Sequence, residues 1–313
     1  MIQVQDRFYI ILISVTILLF SCRDDDKPDT NTNIIVVEGL SYTKSSLSFQ
    51  ETDEAIKNAL DAIAPISIVA EVNHSNNATS VDQELDSTKV ILFGNPALGT
   101  SLMQENQLVG LDLPQKLFIF RDTKDTLTNI LVGFNNTSYL KARHGLINND
   151  TILNTIETAL TNFASSVSDE ELVMIESGSI TLGQGIITKT SAQSFEDTYN
   201  GLVTAIDGNE NLRLVTTLDH QANAATVDLE LNPTRLVVFG NPNLGTPLMQ
   251  NSRTTGIDLP QKILVWQDDN ELVYISYNDP AYLQWRHDIT DNEEILTTIS
   301  TALDNLTNAA GGL

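Results

Sequence analysis

Two stretches of the chain carry apolar residues at the spacing of an amphipathic helix, one beginning near residue 49 and one near residue 195. Ser48 precedes the first stretch and Ser194 the second, and an acidic residue follows each serine three positions later, as at a capped helix start. The apolar positions are Phe49, Ile56, Leu60 and Ile63 in the first stretch, and Phe195, Leu202, Ala205 and Ile206 in the second. The pattern predicts two equivalent helices.

Short apolar runs around these helices predict strands, because turn-forming residues bound them. A closing helix is predicted near residues 151–164 and again near 292–308. The predicted strands are 39–44, 66–72, 89–93, 116–120 and 129–134, then 185–190, 212–218, 235–239, 262–266 and 272–277. The order β-α-β-β-β-β-α, present twice, predicts an α+β fold in which helices cover one face of each antiparallel sheet.

The two segments are copies of one sequence. Residues 92–120 and 238–266 align without a gap at an offset of 146, and 16 of these 29 positions are identical. Downstream the offset falls to 143, because the predicted hairpin loop differs by three residues. A period this long predicts tandem domains, at 36–167 and 168–313. A copy of roughly 130 residues is long enough for its own core, so we expect each to fold independently.

The N-terminus has the pattern of a lipoprotein signal. Residues 8–20 are apolar or small, a run shorter than the roughly 20 residues that span a bilayer, and Ser21-Cys22 follow directly. This ending resembles a bacterial lipobox, whose cysteine is lipidated; the alternative is a free thiol after a hydrophobic run. We expect residues 1–21 to be a signal peptide and Cys22 to anchor the protein in a membrane of the bacterial cell envelope. Residues 22–35 would form an acidic and polar tether.

Further N-terminal features bear on location and redox chemistry. The acidic stretch 23–26 resembles the surface-export signal of Bacteroidetes lipoproteins, so we expect an outer-membrane and surface-exposed location; the alternative is that the stretch is only a solvated tether. Cys22 is the only cysteine of the chain, which excludes an intrachain disulfide and a multi-thiolate metal cluster.

Several motifs of the second copy resemble a known family. They are FGNP, LGTPLMQ, GIDLPQK and YNDPAYLQWRH, after an upstream LDH and LELNPTRLVV. They are similar to the domain of unknown function 302 family over roughly residues 36–165 and 180–309. The first copy departs from the pattern at Ser101, where the second has Pro247, and at Asn136-Thr137, where the second has Asp279-Pro280. The resemblance implies a TATA-binding-protein-like α+β fold and implies no reaction, because no activity is established for the family.

Polar residues at equivalent positions of the two copies are candidates for a ligand site, and all four histidines of the chain fall at two such positions. We expect a small polar pocket in each copy between the Gly-Asn-Pro turn and the Arg-His helix end. Thr246 is expected to cap a helix that starts at Pro247. The expected lining is His220, Asn241, Thr246, Lys262, Tyr277, Arg286 and His287 in the second copy, and His74, Asn95, Thr100, Lys116, Arg143 and His144 in the first.

Such a pocket would suit a small anion, because a helix start offers free N–H groups and the cations add positive charge. The second copy should bind better, since Phe134 replaces Tyr277 in the first and removes a hydroxyl. Alternatively the cations pair with carboxylates, and the histidines form structural hydrogen bonds, since charged residues are seldom buried unpaired. The candidate carboxylates are Asp112, Asp258, Glu84 and Glu230.

Composition narrows the function classes. Asp and Glu number 41 against 17 Lys and Arg, a net charge of −24, which disfavours nucleic-acid binding. The sequence has no HExxH, GxSxG, GxGxxG, P-loop or EF-hand motif, so no cofactor, metal or nucleophile is predicted. We expect a lipid-anchored, non-enzymatic envelope protein that acts as a small-ligand (anion) binding or interaction module. The alternatives are a metal-dependent enzyme that uses the four histidines with Glu84 and Glu230, and a purely structural envelope module.

Overall fold

The computed structural model describes residues 35–121 and 129–313. The predicted signal peptide and Cys22 lie outside the described residues, as does the predicted tether except for its last residue. Residues Ile35–Leu313 form one compact unit that contains both repeats.

The two repeats contain the same elements in the same order. The first comprises β1 (Leu40–Lys44), α1 (Phe49–Asp61), β2 (Ser67–Asn73), α2 (His74–Thr79), β3 (Thr88–Gly94), α3 (Pro96–Glu105), the 3-10 helix η1 (Gln107–Leu111), β4 (Gln115–Arg121), β5 (Ile130–Asn135), α4 (Thr137–His144) and α5 (Asp150–Ser165). After β6 (Val173–Met174), the second comprises β7 (Ile186–Thr190), α6 (Phe195–Asp207), β8 (Arg213–Asp219), α7 (His220–Ala225), β9 (Thr234–Gly240), α8 (Pro242–Asn251), the 3-10 helix η2 (Arg253–Ile257), β10 (Gln261–Gln267), β11 (Val273–Asn278), α9 (Pro280–His287) and α10 (Glu293–Gly311).

Each repeat forms its own antiparallel sheet. The strand order is β2-β3-β4-β5-β1-β6 in the first sheet and β7-β11-β10-β9-β8 in the second. A register irregularity between Ile68 and Ala70 recurs at the equivalent positions Leu214 and Thr216, so the copies match even in this detail. The α+β prediction with two equivalent sheets is confirmed.

The capping signals at Ser48 and Ser194 predicted the starts of α1 and α6 correctly. Ser48 accepts a hydrogen bond from the Glu51 backbone N–H, and the Glu51 carboxylate accepts one from the backbone N–H of Ser48. The buried face of α1 carries Ile56 and Leu60, which pack with residues of α5 in the core of the first repeat. Sequence patterning therefore places the long helices on one face of each sheet.

The opposite faces of the two sheets share a single hydrophobic cluster. In β3, Ile91 and Phe93 belong to the core of the first repeat, whereas Val90 and Leu92 belong to the shared cluster. The shared cluster also contains residues of the second sheet, among them Leu264. Because this apolar surface is buried only when both repeats are present, the structure favours joint folding, against our expectation of independent domains.

Two boundaries differ from the sequence prediction. β6 (Val173–Met174) pairs with β1, so it belongs to the first sheet, although the predicted boundary at 167/168 assigned it to the second repeat. Helix α8 begins at Pro242 with Asn241 as its N-cap, and Pro247 lies inside the helix. The prediction that Thr246 caps this helix was therefore wrong, because the asparagine of the Gly-Asn-Pro turn provides the cap five residues earlier.

Candidate functional site

The predicted site residues separate into two groups on opposite faces of the sheets. Side chains of consecutive strand residues point to opposite faces, so Gln115 and Lys116 at the start of β4 diverge. Gln115 lies on the helix-covered side, where it lines a pocket, and Lys116 is buried between the repeats. The single pocket predicted in each copy combined residues from both sides and does not form as expected.

The cations form a buried charge network between the repeats. Arg143 Nη1 donates to Asp112 Oδ2 at 2.8 Å, and its Nη2 reaches across to Asn278 Oδ1 of the second repeat, also at 2.8 Å. Arg286 mirrors this arrangement, with Nη1 2.7 Å from Asp258 Oδ2 and Nη2 2.8 Å from Asn135 Oδ1. The two repeats thus exchange equivalent contacts, as two subunits do across a two-fold interface.

Lysines and histidines complete the charge network. Lys262 Nζ lies 3.5 Å from Asp112 Oδ1, and Lys116 Nζ lies 3.6 Å from Asp258 Oδ1, so each lysine pairs with the other repeat. His144 Nε2 lies 2.8 Å from Asp112 Oδ2, and the same distance joins His287 Nε2 to Asp258 Oδ2. The alternative in which these cations pair with Asp112 and Asp258 is the one the structure supports.

Burial and charge set the ionisation of this network. Burial alone would raise the pKa of Asp112, but Arg143 and Lys262 outweigh it and hold the pKa well below its usual value. Burial and the neighbouring charge of Lys262 lower the pKa of Lys116 to about 7. The side chains of Arg143 and Asp112 have no exposed surface. The network therefore joins the repeats and offers no open anion site.

The Gly-Asn-Pro turns place the second group beside two pockets. The first pocket has a volume of about 170 Å³ and lies between the start of α3, the start of β4 and α5. Asn95, Thr100 and Gln115 of the first repeat line it, and His220 and Asn223 come from the second repeat. Helix α7 of the second repeat, which begins at His220, therefore borders the pocket of the first repeat.

The second pocket, of about 90 Å³, repeats this arrangement. Asn241, Thr246 and Gln261 line it from the second repeat, and His74 and Asn77 from the first. Each of these two histidines therefore lines the pocket of the opposite repeat. Alignment of the two copies does not reveal this arrangement.

Tyr277, which was expected in the second pocket, lines neither of the two pockets. It belongs to the core of the second repeat, and its ring lies 5.8 Å from Lys189 Nζ. Phe134 belongs to the core of the first repeat, so this pair of aromatic residues accounts for packing and not for a difference between the pockets.

Residues that line both pockets carry buried polar atoms without hydrogen-bond partners. Thirteen buried side-chain nitrogen or oxygen atoms in the described part of the chain have no hydrogen-bond partner. Six of them form three repeat-equivalent pairs on pocket-lining residues: Thr100 Oγ1 with Thr246 Oγ1, Gln115 Nε2 with Gln261 Nε2, and His220 Nε2 with His74 Nε2. A buried unpaired polar group costs about 1–3 kcal/mol, so three at equivalent positions of both pockets call for a functional explanation.

Both glutamines were missed as candidate residues, although they precede Lys116 and Lys262 in the repeated DLPQK motif. Strand alternation was the available signal, because it directs the glutamine to the face opposite the lysine.

The helix starts beside the pockets do not offer free N–H groups. Pro96 has none, and the Asn95 side chain accepts from the N–H groups of Ala97 and Leu98. The Gly99 N–H donates to the Asn95 carbonyl. The expected anion site at the helix start is therefore absent among these residues, because the asparagine cap satisfies the donors.

The pocket histidines are neutral at physiological pH. Burial lowers the pKa of His220 to about 4, although the Gly110 carbonyl has the opposite, smaller effect. Burial likewise lowers the pKa of His74 to about 4, against the carbonyls of Gly256 and Leu259. A neutral ring carries one N–H, which donates to the backbone carbonyl, so the unpaired Nε2 of each histidine is an acceptor.

A metal centre finds no support within residues 35–121 and 129–313, where no group of three or more His, Asp or Glu residues could hold a metal ion. The carboxylates proposed for the metal enzyme, Glu84 and Glu230, are exposed, whereas all four histidines are buried. The geometry therefore does not assemble the predicted metal-dependent site.

The family model "Domain of unknown function DUF302" matches residues 41–163 and 187–306. A protein named "Fluoride-specific ion channel FluC 1" from Brucella suis biovar 1 (strain 1330) is 36% identical over 132 residues, which cover 42% of this chain and 52% of that protein. A protein of the same name from Brucella abortus biovar 1 (strain 9-941) is also 36% identical over 132 residues, covering 42% of this chain and 48% of that one. The chain thus spans about half the length of the curated relatives it matches.

A solved structure, the "uncharacterized conserved protein DUF302 from Bacillus stearothermophilus", shares 18% identity. The match covers 41% of this chain and 98% of that chain, with a TM-score of 0.36. No helix in the described ranges of the present chain is long and apolar enough to cross a membrane.

Proposed function

Both repeats of this chain belong to the DUF302 family, and we propose that the protein binds a small ligand. The ligand would occupy two equivalent pockets, each lined by residues of both repeats. The geometry is the basis of this proposal because the family's description assigns no activity. The observation that carries this proposal is the threonine, glutamine and histidine at each pocket whose polar atoms lack partners. A ligand that hydrogen bonds to these atoms would offset the cost of leaving them unpaired.

The proposal includes attachment to the bacterial cell envelope through lipid on Cys22. The apolar run 8–20 followed by Ser21-Cys22 is the support for it. Several acyl chains anchor a protein stably, since each buried methylene contributes about 0.8 kcal/mol. In this arrangement residues 35–313 would stand beyond the tether as a compact receptor, at the outer membrane and exposed on the cell surface.

The name of the curated relatives raises fluoride as a ligand to test. Those proteins are about twice as long as the segment they share with this chain, so the activity in their name belongs to the whole protein. The first pocket has no charged lining residue, the second has only Arg213, and the helix starts beside both pockets are capped. We therefore favour a ligand recognised by uncharged hydrogen-bonding groups, with fluoride as a comparison compound.

A ligand screen by thermal shift tests this function, since a ligand that binds only the native state raises the melting temperature by mass action. The protein is the chain from residue 27 onward, which contains the whole compact unit. Ala159 on α5 lines the first pocket and Ala302 on α10 is its counterpart in the second. We expect A159F and A302F each to abolish the shift caused by ligands of one pocket. If no compound in a broad screen of neutral molecules, anions and metal ions shifts the wild type, the purely structural alternative is preferred.

A further inference from the structure

The charge of the ligand is constrained by the pocket walls. Among the described residues that line the first pocket there is no Lys, Arg, Asp or Glu, and its one titratable side chain, His220, is neutral. An ionised ligand group would lose its hydration there without gaining a counter-charge, which is strongly unfavourable. In the second pocket the one charged lining residue, Arg213, is exposed and donates to Ser80 Oγ. The walls therefore favour an uncharged ligand.

The polar atoms define the ligand's functional group. Among the residues that line the first pocket, Gln115 Nε2 is a donor, Thr100 Oγ1 can donate or accept, and His220 Nε2 is an acceptor because the ring N–H donates to the Gly110 carbonyl. A hydroxyl, carbonyl or amide oxygen satisfies the donor, and a hydroxyl or amide hydrogen satisfies an acceptor. The rest of the lining is dominated by apolar residues such as Phe93, Met103 and Leu160, so one polar group on an apolar body is the complementary shape.

The pocket volumes set the size of the apolar body. A closed apolar cavity of about 150 Å³ in another protein binds benzene, so the first pocket, at about 170 Å³, has room for one six-membered ring. The second pocket, at about 90 Å³, has room for a shorter body. Arg213 lines the second pocket at the position of Ser67 in the first, so the linings of the two pockets differ in charge.

We propose that the first pocket binds uncharged molecules of single-ring size that carry one amide, carbonyl or hydroxyl group, and that the second pocket binds smaller molecules of the same kind. This inference rests on the proposed function and specifies its ligand. It assigns Gln115 and Thr100 to recognition of the polar group and His220, from the other repeat, to the same task.

An isosteric series of probes tests the charge requirement. Benzamide, benzoate and benzamidinium share one ring and differ in charge, and isothermal titration of the chain from residue 27 onward gives the Kd of each at neutral pH. We expect benzamide to bind at least ten-fold more tightly than either ion. A159F should abolish benzamide binding, whereas A302F, which fills the second pocket, should leave it unchanged.

A glutamine variant tests the assignment of the polar group. Q115L removes the donor and preserves the approximate size, so we expect benzamide binding to weaken roughly five-fold, the effect of one hydrogen bond of about 1 kcal/mol. Toluene, which has the ring without the polar group, should bind the variant as well as it binds the wild type. A general loss of structure would weaken the binding of both probes, whereas loss of one hydrogen bond weakens the binding of benzamide alone.

The outcomes separate this inference from the function on which it rests. If benzoate or fluoride binds more tightly than benzamide, and A159F or A302F abolishes that binding, the uncharged class is wrong although the pockets bind ligands. If benzamide binding survives A159F, the site is wrong. If neither these probes nor the broad screen gives binding, both proposals are overturned.

Discussion

Replacing Asp112 by asparagine removes one of the two carboxylates of the charge network. Asp112 Oδ2 accepts hydrogen bonds from Arg143 Nη1 and His144 Nε2, and its Oδ1 lies 3.5 Å from Lys262 Nζ. The amide of D112N has nearly the same volume but no charge, and its nitrogen is a donor that faces other donors. Arg143 and Lys262 are then left buried with one counter-charge fewer.

The expected loss of stability is large because solvent cannot screen this site. The Arg143 and Asp112 side chains are both 0% exposed. Removing one partner of a buried ion pair typically costs about 3–5 kcal/mol, and we expect D112N to lower the free energy of unfolding by this amount. Asp258 accepts equivalent hydrogen bonds from Arg286 and His287, so D258N should have a comparable effect.

Urea unfolding followed by circular dichroism measures the loss as a shift of the midpoint at unchanged slope. The matched control is D150N, which breaks an ion pair of 2.6 Å between Lys141 and Asp150 whose side chains are 46% and 65% exposed. Exposed pairs contribute about 0–1 kcal/mol, so the control should change little. If D112N costs no more than D150N, the reasoning that the buried network holds the repeats together is refuted.

Further predictions concern pH, the cooperation of the repeats and the lipid anchor. Burial lowers the pKa of His74 and His220 from 6.5 to about 4, so stability present above pH 6.5 is lost as the pH falls towards 4. Protonation of each histidine should lower the free energy of unfolding by about 2 kcal/mol between about pH 7.5 and pH 5. A free energy of unfolding, measured with urea, that stays constant over this range would contradict the prediction. Fragments 35–174 and 175–313 should each fail to form a stable folded monomer and should recover structure when mixed, as checked by circular dichroism and size-exclusion chromatography; cooperative unfolding of either monomer alone would argue for independent domains. Cys22→Ala should abolish palmitate labelling of the full chain in cells, and undiminished labelling would rule out this anchor.

The element order could be predicted because the two copies agree with each other and because α1 and α6 carry serine capping signals. The packing of the two sheets against each other is also indicated by the sequence. Residues 117–120 of β4 read Leu-Phe-Ile-Phe, apolar on both faces of the strand, and such runs are typical of strands covered on both sides. The sequence does not say what covers the second face, and here the second repeat does so.

The candidate site was predicted residue by residue but not in its arrangement. Comparing the copies identified the threonines, histidines and cations, because these types recur. The comparison could not reveal that His220 borders the pocket of the first repeat. The two copies would align identically whether each histidine lined the pocket of its own repeat or that of the other repeat. Lys262 does not share a pocket with Thr246, because strand alternation in the DLPQK motif directs Gln261 and Lys262 to opposite faces of the sheet.

Fusion of the two repeats in one chain changes what such pockets can do. In a symmetric dimer of identical subunits, two pockets of this kind would be equal by symmetry. In this chain the threonine, glutamine and histidine are the same in both pockets, whereas Ser67 beside one is replaced by Arg213 beside the other and the volumes differ. Packing alone does not require a buried glutamine nitrogen without a partner in each repeat. The combination is what two ligand sites with a common recognition group and separate size limits would require.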